Sequence, residues 1–281
     1  MIDFKPRMWT YIGLGAMALV GVTACGQGGE SGAQSATVSN AASAKAGEGE
    51  GKVAKAVAAS PAPSGESGEA GAQNAYSDIP VGSRLGLRIA HVTGFVLIAQ
   101  KAYDAGQVDE ASVLISQGLL EVYRPNAGEL DGGATGLKTA FEKVVAAIDA
   151  KKPKAEVDAA FNEAIALSRK TEVASGADPK DIVGGMVSIA AGLYSGVISP
   201  QGNDPSEYQH AQGAALSAKS AFEATKGKLS AKDAARTATA GADLDALVAL
   251  FPAVSLPDQP AKVTEITGAA SRVQLALSGI R

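Results

Sequence analysis

Two histidines are the only imidazoles in this chain, and both open the same short pattern, His-x-x-Gly-x-x-Leu. His91, Gly94 and Leu97 align without a gap on His210, Gly213 and Leu216, and the match runs on through Ala99, Ala102 and Ala105 against Ala218, Ala221 and Ala224. A duplicated helical unit would bring two imidazoles together from facing helices, and such a pair can ligate haem iron, zinc, copper or nickel. Glu207 adds to the case, because Glu207-x-x-His210 sets a carboxylate and an imidazole on one helix face, as in carboxylate-rich metal bundles. The matching position in the first copy is Arg88, a cation where a second carboxylate ligand would be wanted. The candidate site is therefore His91, His210 and Glu207, with a metal ion or haem as ligand. The alternative is that each histidine hydrogen-bonds a helix-end carbonyl or a nearby acid while Arg88 pairs with a carboxylate.

Other chemistry lacks its residues. The sequence has no GxSxG, no HExxH and no glycine-rich phosphate loop behind a strand. One cysteine leaves neither a disulfide framework nor a CxxC metal site. The expectation is a binding protein and not an enzyme. A formal net charge of −4 gives none of the basic footprint that nucleic acid requires, so that partner is set aside.

That single cysteine has another role. Lys5 and Arg7 precede an uncharged run from Met8 to Ala24, which ends Val22-Thr23-Ala24-Cys25-Gly26. The run is short for a transmembrane helix and closes on small residues. It resembles a bacterial lipoprotein signal peptide. The resemblance implies removal of residues 1–24, a diacylglycerol thioether on Cys25 and further acylation of the new N-terminus, so that the protein meets the membrane through its lipid. Gly26 stands where an aspartate would favour inner-membrane retention, which leans the expectation toward the outer membrane, facing the periplasm, where an envelope protein is a candidate partner.

Residues 25–78 are dominated by Gly, Ala, Ser, Glu and Lys. Such a segment buries too little apolar surface to offset its ordering entropy, so it reads as a disordered linker with a reach on the order of 40 Å. Residues 79–281 carry the fold. Alanine is abundant, alternating β-branched residues are scarce, and helix boundaries recur: Ser83 to Gly106, Asp109 to Arg124-Pro125, Gly136 to Ala150, and Pro153 onward to Arg169. Asp178-Pro179 and Asp204-Pro205 each offer an N-cap followed by proline at the first helical position. Ser230 and Asp258 are expected to start the last two helices, with Phe251-Pro252 between them. The expected fold is an all-α bundle of about eight helices, with repeat-like halves over 82–170 and 178–281. Phe95, Ile98, Ala102 and Ala105 should form one apolar stripe, and Val113, Leu114, Leu120 and Val122 another. In a true duplication, Gly94 and Gly213 mark a close helix crossing, where leucine should destabilise, whereas Gly118 lies outside that pair and its replacement by alanine should be milder.

Two stretches carry a family resemblance. One is Ala102-Tyr103-Asp104-Ala105-Gly106 with Asp109-Glu110-Ala111, leading to Glu121-Val122-Tyr123-Arg124-Pro125. The other is Leu193-Tyr194 followed by Asn203-Asp204-Pro205-Ser206-Glu207-Tyr208-Gln209-His210. They resemble the extracytoplasmic helical region that precedes the membrane domain in bacterial members of the high-affinity iron permease family. The resemblance implies a stand-alone accessory module concerned with iron; with no REXXE membrane helices following, permeation itself is not implied. The first stretch also resembles a tetratricopeptide helix pair, although Tyr103 to Ala111 is one residue short and no 34-residue period runs along the chain. That likeness implies a scaffold for a protein or peptide partner.

The anchor is tested through its thiol. Cys25→Ser should block thioether formation and signal cleavage, so that the protein persists as a precursor or appears in soluble extract. Equal labelling of variant and wild type by a clickable palmitate analogue would refute the assignment.

Overall fold

The central helix explains the architecture, because it is apolar enough to cross a membrane by length and composition and yet 67% of that stretch is buried within the protein. A helix hydrophobic on all sides needs neighbours on all sides. The computed structural model, which describes residues 67–200 and 202–281, supplies them as an all-α bundle. Its helices are α1 (Ser67–Asp78), α2 (Arg84–Asp104), α3 (Val108–Gln117), α4 (Ala127–Gly133), α5 (Leu137–Asp149), α6 (Lys154–Ala174), α7 (Pro179–Val197), α8 (Pro205–Lys232), α9 (Ala234–Ala249) and α10 (Val263–Ser278). A two-residue antiparallel ladder, Ile198–Ser199 with Gly202–Asn203, closes the turn between α7 and α8.

The aspartate-proline starts behave as expected. Asp178 accepts from the Lys180 amide, and Asp204 from the amides of Ser206 and Glu207, satisfying donors that the first helical turn cannot. Other boundaries move. Ser83 does not cap α2: its hydroxyl donates to the Asp181 carboxylate, tying the start of α2 to α7. Ser230 lies inside α8, which continues to Lys232. The break comes at Asp233, whose extended backbone ends one helix while its carboxylate caps α9 through the Arg236 amide. Helix α10 begins at Val263 and not at Asp258; Glu265 accepts from the Lys262 amide there.

The N-terminal boundary is also earlier than the sequence suggests. The segment assigned to a linker over 25–78 gives way at Ser67 to α1, which lies against α7 with Ala72 and Ala75 buried. Small residues hid this helix, since alanine can pack closely without producing an apolar stripe of large side chains. The expected signal peptide, Cys25 and the rest of the expected linker lie outside the described residues.

The core has two apolar clusters, and α2 contributes to both, Leu87 and Ala90 to one and Ile89, Phe95 and Ile98 to the other. Helices α3 to α6 gather on α2 around Leu114, Phe141 and Phe161, whereas α7 to α10 and α1 gather around Met186, Tyr194, Tyr208 and Phe222. Tyr194 and Tyr208 donate to the carbonyls of Ala261 and Ala253, pinning the loop after the Phe251-Pro252 break. The first stripe is right at Phe95, Ile98 and Ala102, but Ala105 is exposed. In the second, Leu114 and Val122 are buried while Val113 and Leu120 face solvent. The buried face runs instead through Ala111, Leu114, Ile115, Gly118 and Val122 at intervals of three and four, and Val113 and Leu120 do not belong to it. Residues Gly118–Tyr123 form a π-helical turn.

The halves join where α2 crosses α8. A Cβ on Gly94 would sit 2.9 Å from the Gly213 carbonyl oxygen, and one on Gly213 would sit 2.7 Å from that of Gly94. The two glycines of the repeat therefore face each other, backbone against backbone. Ser217 donates to the Ala90 carbonyl at 2.6 Å across the same crossing. It accepts from Arg169, whose other partner is the buried carboxylate of Glu172, so α6 is tied in as well.

Gly94→Ala and Gly213→Ala should each destabilise by about 1–3 kcal/mol through overpacking. Gly227→Ala, in α8 with nothing near its Cβ position, should instead stabilise by up to about 1 kcal/mol from helix propensity. Gly118→Ala belongs with the damaging pair and is not the milder change expected, because its Cβ would lie 2.7 Å from Phe95. Chemical denaturation of the four variants reads both signs.

Candidate functional site

Because the glycines cross, the residues one turn before them are carried to a common region. His91 on α2 and His210 on α8 line one cavity of about 440 Å³. They do not touch. The ring of Phe95 packs between them, with centroids 5.8 Å from His91 and 4.8 Å from His210. Glu207 lies on the same wall as His210, as its spacing requires, and Arg88 lines the cavity from α2. Arg88, His91, Glu207 and His210 thus line one cavity.

Each imidazole has its own partner. The Tyr76 hydroxyl is hydrogen-bonded to His91 Nδ1 at 2.7 Å, and burial holds that phenol well above its ordinary range, so it stays protonated; it donates when the imidazole proton is on Nε2 and accepts when it is on Nδ1. His210 Nε2 lies 3.3 Å from the Gln117 carbonyl oxygen and 3.4 Å from the Ser206 hydroxyl. An amide carbonyl can only accept, which puts the His210 proton on Nε2 and leaves a lone pair on Nδ1. That Nδ1 is 4.0 Å from a Glu121 carboxylate oxygen. Arg88 pairs with Glu129 and stacks over the Tyr76 ring at 5.7 Å from its centroid.

Burial decides the charge state. It pushes His91 down to about 3, with His210 nearby adding to the effect, and His210 to about 4, partly offset by Asp204. Both rings are neutral near pH 7. Neutral imidazoles can act as ligands or hydrogen-bonding groups, but they are poorly matched to proton transfer at that pH.

The expected ligand set is incomplete. Among the described residues no group of three His, Cys, Asp or Glu side chains is arranged to hold a metal ion. The alternative reading of Arg88, a carboxylate partner, is what the geometry has. Four members of the site were not anticipated: Tyr76, Phe95 in its bridging place, Gln117 and Glu121. Tyr76 was assigned to the linker. Gln117 and Glu121 turn toward the cavity at the π-helical turn, a device common at functional sites. Gly118 was its one visible trace, since only a missing side chain admits Phe95.

Fold and site together define an all-α bundle with a ligand-sized polar cavity at a pseudo-symmetric helix crossing. Comparison with protein-family models, curated proteins and solved structures gives no match.

The depressed histidines make stability depend on acidity in a stated direction. An unfolded imidazole takes up its proton near 6.5, whereas the folded ones resist until about 4 and about 3. Stability is therefore complete above about pH 6.5 and falls as the pH drops below it, by about 1.4 kcal/mol per pH unit for each ring. Denaturant midpoints of the full-length protein between pH 7.5 and 4.5 should show this fall, and the His91→Gln/His210→Gln variant should flatten it. Equal slopes in the two proteins would refute burial of the neutral rings.

Proposed function

We propose that this is a lipid-anchored, periplasm-facing binding protein that holds a metal ion in the cavity at the α2–α8 crossing, as an accessory module of the kind the iron permease resemblance implies. One observation carries the reading: both histidines of the internal repeat, with Glu207 and Glu121, line a single cavity. Imidazole and carboxylate together suit first-row ions such as iron, cobalt, nickel or zinc. Haem is the poorer candidate. Phe95 fills the space between the rings that a porphyrin would need. The neutrality of both imidazoles supports binding over acid–base catalysis.

A scaffold for a protein partner is the second reading, favoured by the exposed Val113 and Leu120, seven residues apart on the outer side of α3 and its π-helical continuation. Metal analysis separates the two. The full-length protein in detergent, incubated with iron, zinc or copper salts and desalted, should retain about one equivalent by mass spectrometry. His210→Ala should lose it, and His91→Ala should weaken it less, since His91 Nδ1 is already hydrogen-bonded to Tyr76. Uptake unchanged in the double variant would remove the site, and no uptake by wild type would leave the scaffold reading ahead.

A further inference from the structure

The metal-binding reading leaves a mismatch between the site's donors and its size. His210 Nδ1 and the Glu121 carboxylate are 4.0 Å apart, and two donors each about 2.1 Å from one ion can be no more than about 4.2 Å apart. The pair fits one ion. Its carboxylate is also adjustable, because the Glu121 side chain is 32% exposed while that of His210 is 9% exposed. Yet no third His, Cys, Asp or Glu among the described residues completes the set, and up to four coordination positions of an octahedral ion are left to outside ligands. The cavity of about 440 Å³ is many times the roughly 30 Å³ share of one water molecule. A bare ion would leave most of it to solvent.

The opposite end of the site has the wrong charge for a bare cation. Successive contacts run from Arg88 over Tyr76, to His91, to Phe95, to His210 and on to Glu121. A guanidinium at one end and a nitrogen–carboxylate pair at the other form a polarised site. Arg88 stands where the repeat has Glu207, so the duplication has become asymmetric in charge. Guanidinium groups bind carboxylates well, and the side chain of Glu129, the present partner of Arg88, is 40% exposed and can give way to a competing carboxylate.

We propose that the ligand is a first-row transition-metal ion carried in a small carboxylate-bearing chelate, with the ion between His210 Nδ1 and Glu121 and a carboxylate of the chelator on Arg88. This rests on the metal reading of the same cavity and adds the chemical class of what enters it. The chelator supplies the missing donors and fills the volume, and its negative charge turns Arg88 from an obstacle into a binding group. Tyr76, whose ring lies under Arg88, offers its hydroxyl to the same carboxylate at the cost of its bond to His91.

Isothermal titration of the full-length protein in detergent with Co²⁺ alone, citrate alone and the preformed Co²⁺–citrate complex tests this. The complex should bind at least about tenfold more tightly than either component, as the addition of one charge-assisted contact would give. Arg88→Gln should abolish that advantage without weakening the binding of Co²⁺ alone, and Arg88→Lys should keep part of it. Glu121→Gln should weaken both metal forms. Circular dichroism of each variant confirms that it folds. Co²⁺ bound as tightly as its complex overturns the chelate and leaves the metal site standing, as does an advantage that survives Arg88→Gln. Citrate bound as tightly as the complex overturns both and makes the cavity an organic-anion site. No binding in any arm overturns both as well.

Discussion

The approach of Gly94 to Gly213 is the constraint on which the remainder depends. Two helices whose backbones touch cannot slide or separate without opening a void, and interiors packed to crystal-like density tolerate little of that. Because α2 is buried on nearly every face, its position fixes α3 and α6 on one side and α7 and α8 on the other. The glycines do not merely permit close packing. They set the register of the two halves, and with it the depth at which the neighbouring imidazoles lie.

Polar groups at this crossing reinforce the geometry at an electrostatic cost. Arg169 and Glu172 are removed from water together, and burial opposes the charge of each while their mutual contact restores it. Such a pair adds little net stability, but losing one member leaves an uncompensated charge. Its value is positional, since Arg169 reaches Ser217 and Ser217 reaches the α2 backbone. The histidines follow the same principle without charge: they are buried beside aromatic rings, and neutrality is the form that the surroundings permit.

The helical fold was legible because its signals are local. Asp178-Pro179 and Asp204-Pro205 mark helix starts through hydrogen bonds that span only two or three residues. The paired His-x-x-Gly-x-x-Leu pattern was legible for a different reason: close backbone contact demands glycine on both partners, and so leaves a mark in sequence. Where a boundary depended on tertiary packing, the sequence was ambiguous. Ser83 spends its hydroxyl on a distant helix, and Ser230 is carried past as α8 continues to bury Leu229. The site was half visible. His91, His210, Glu207 and Arg88 could be found from the repeat, whereas Glu121 and Gln117 depend on a π-helical turn that has no simple periodicity, and Tyr76 sits in an alanine-rich helix that resembles linker by composition.

Helix α1 has a mechanical significance beyond its contribution of Tyr76. It is the first described element after the N-terminal segment, and it grips α7 through Ala72 and Ala75, side chains too small to interlock deeply. Tension transmitted along the preceding chain would reach this helix before any other part of the bundle. The Tyr76–His91 bond joins that helix to α2. A pull on the N-terminus would therefore be felt at the wall of the cavity while the crossing behind it, locked by two backbones, stayed in place.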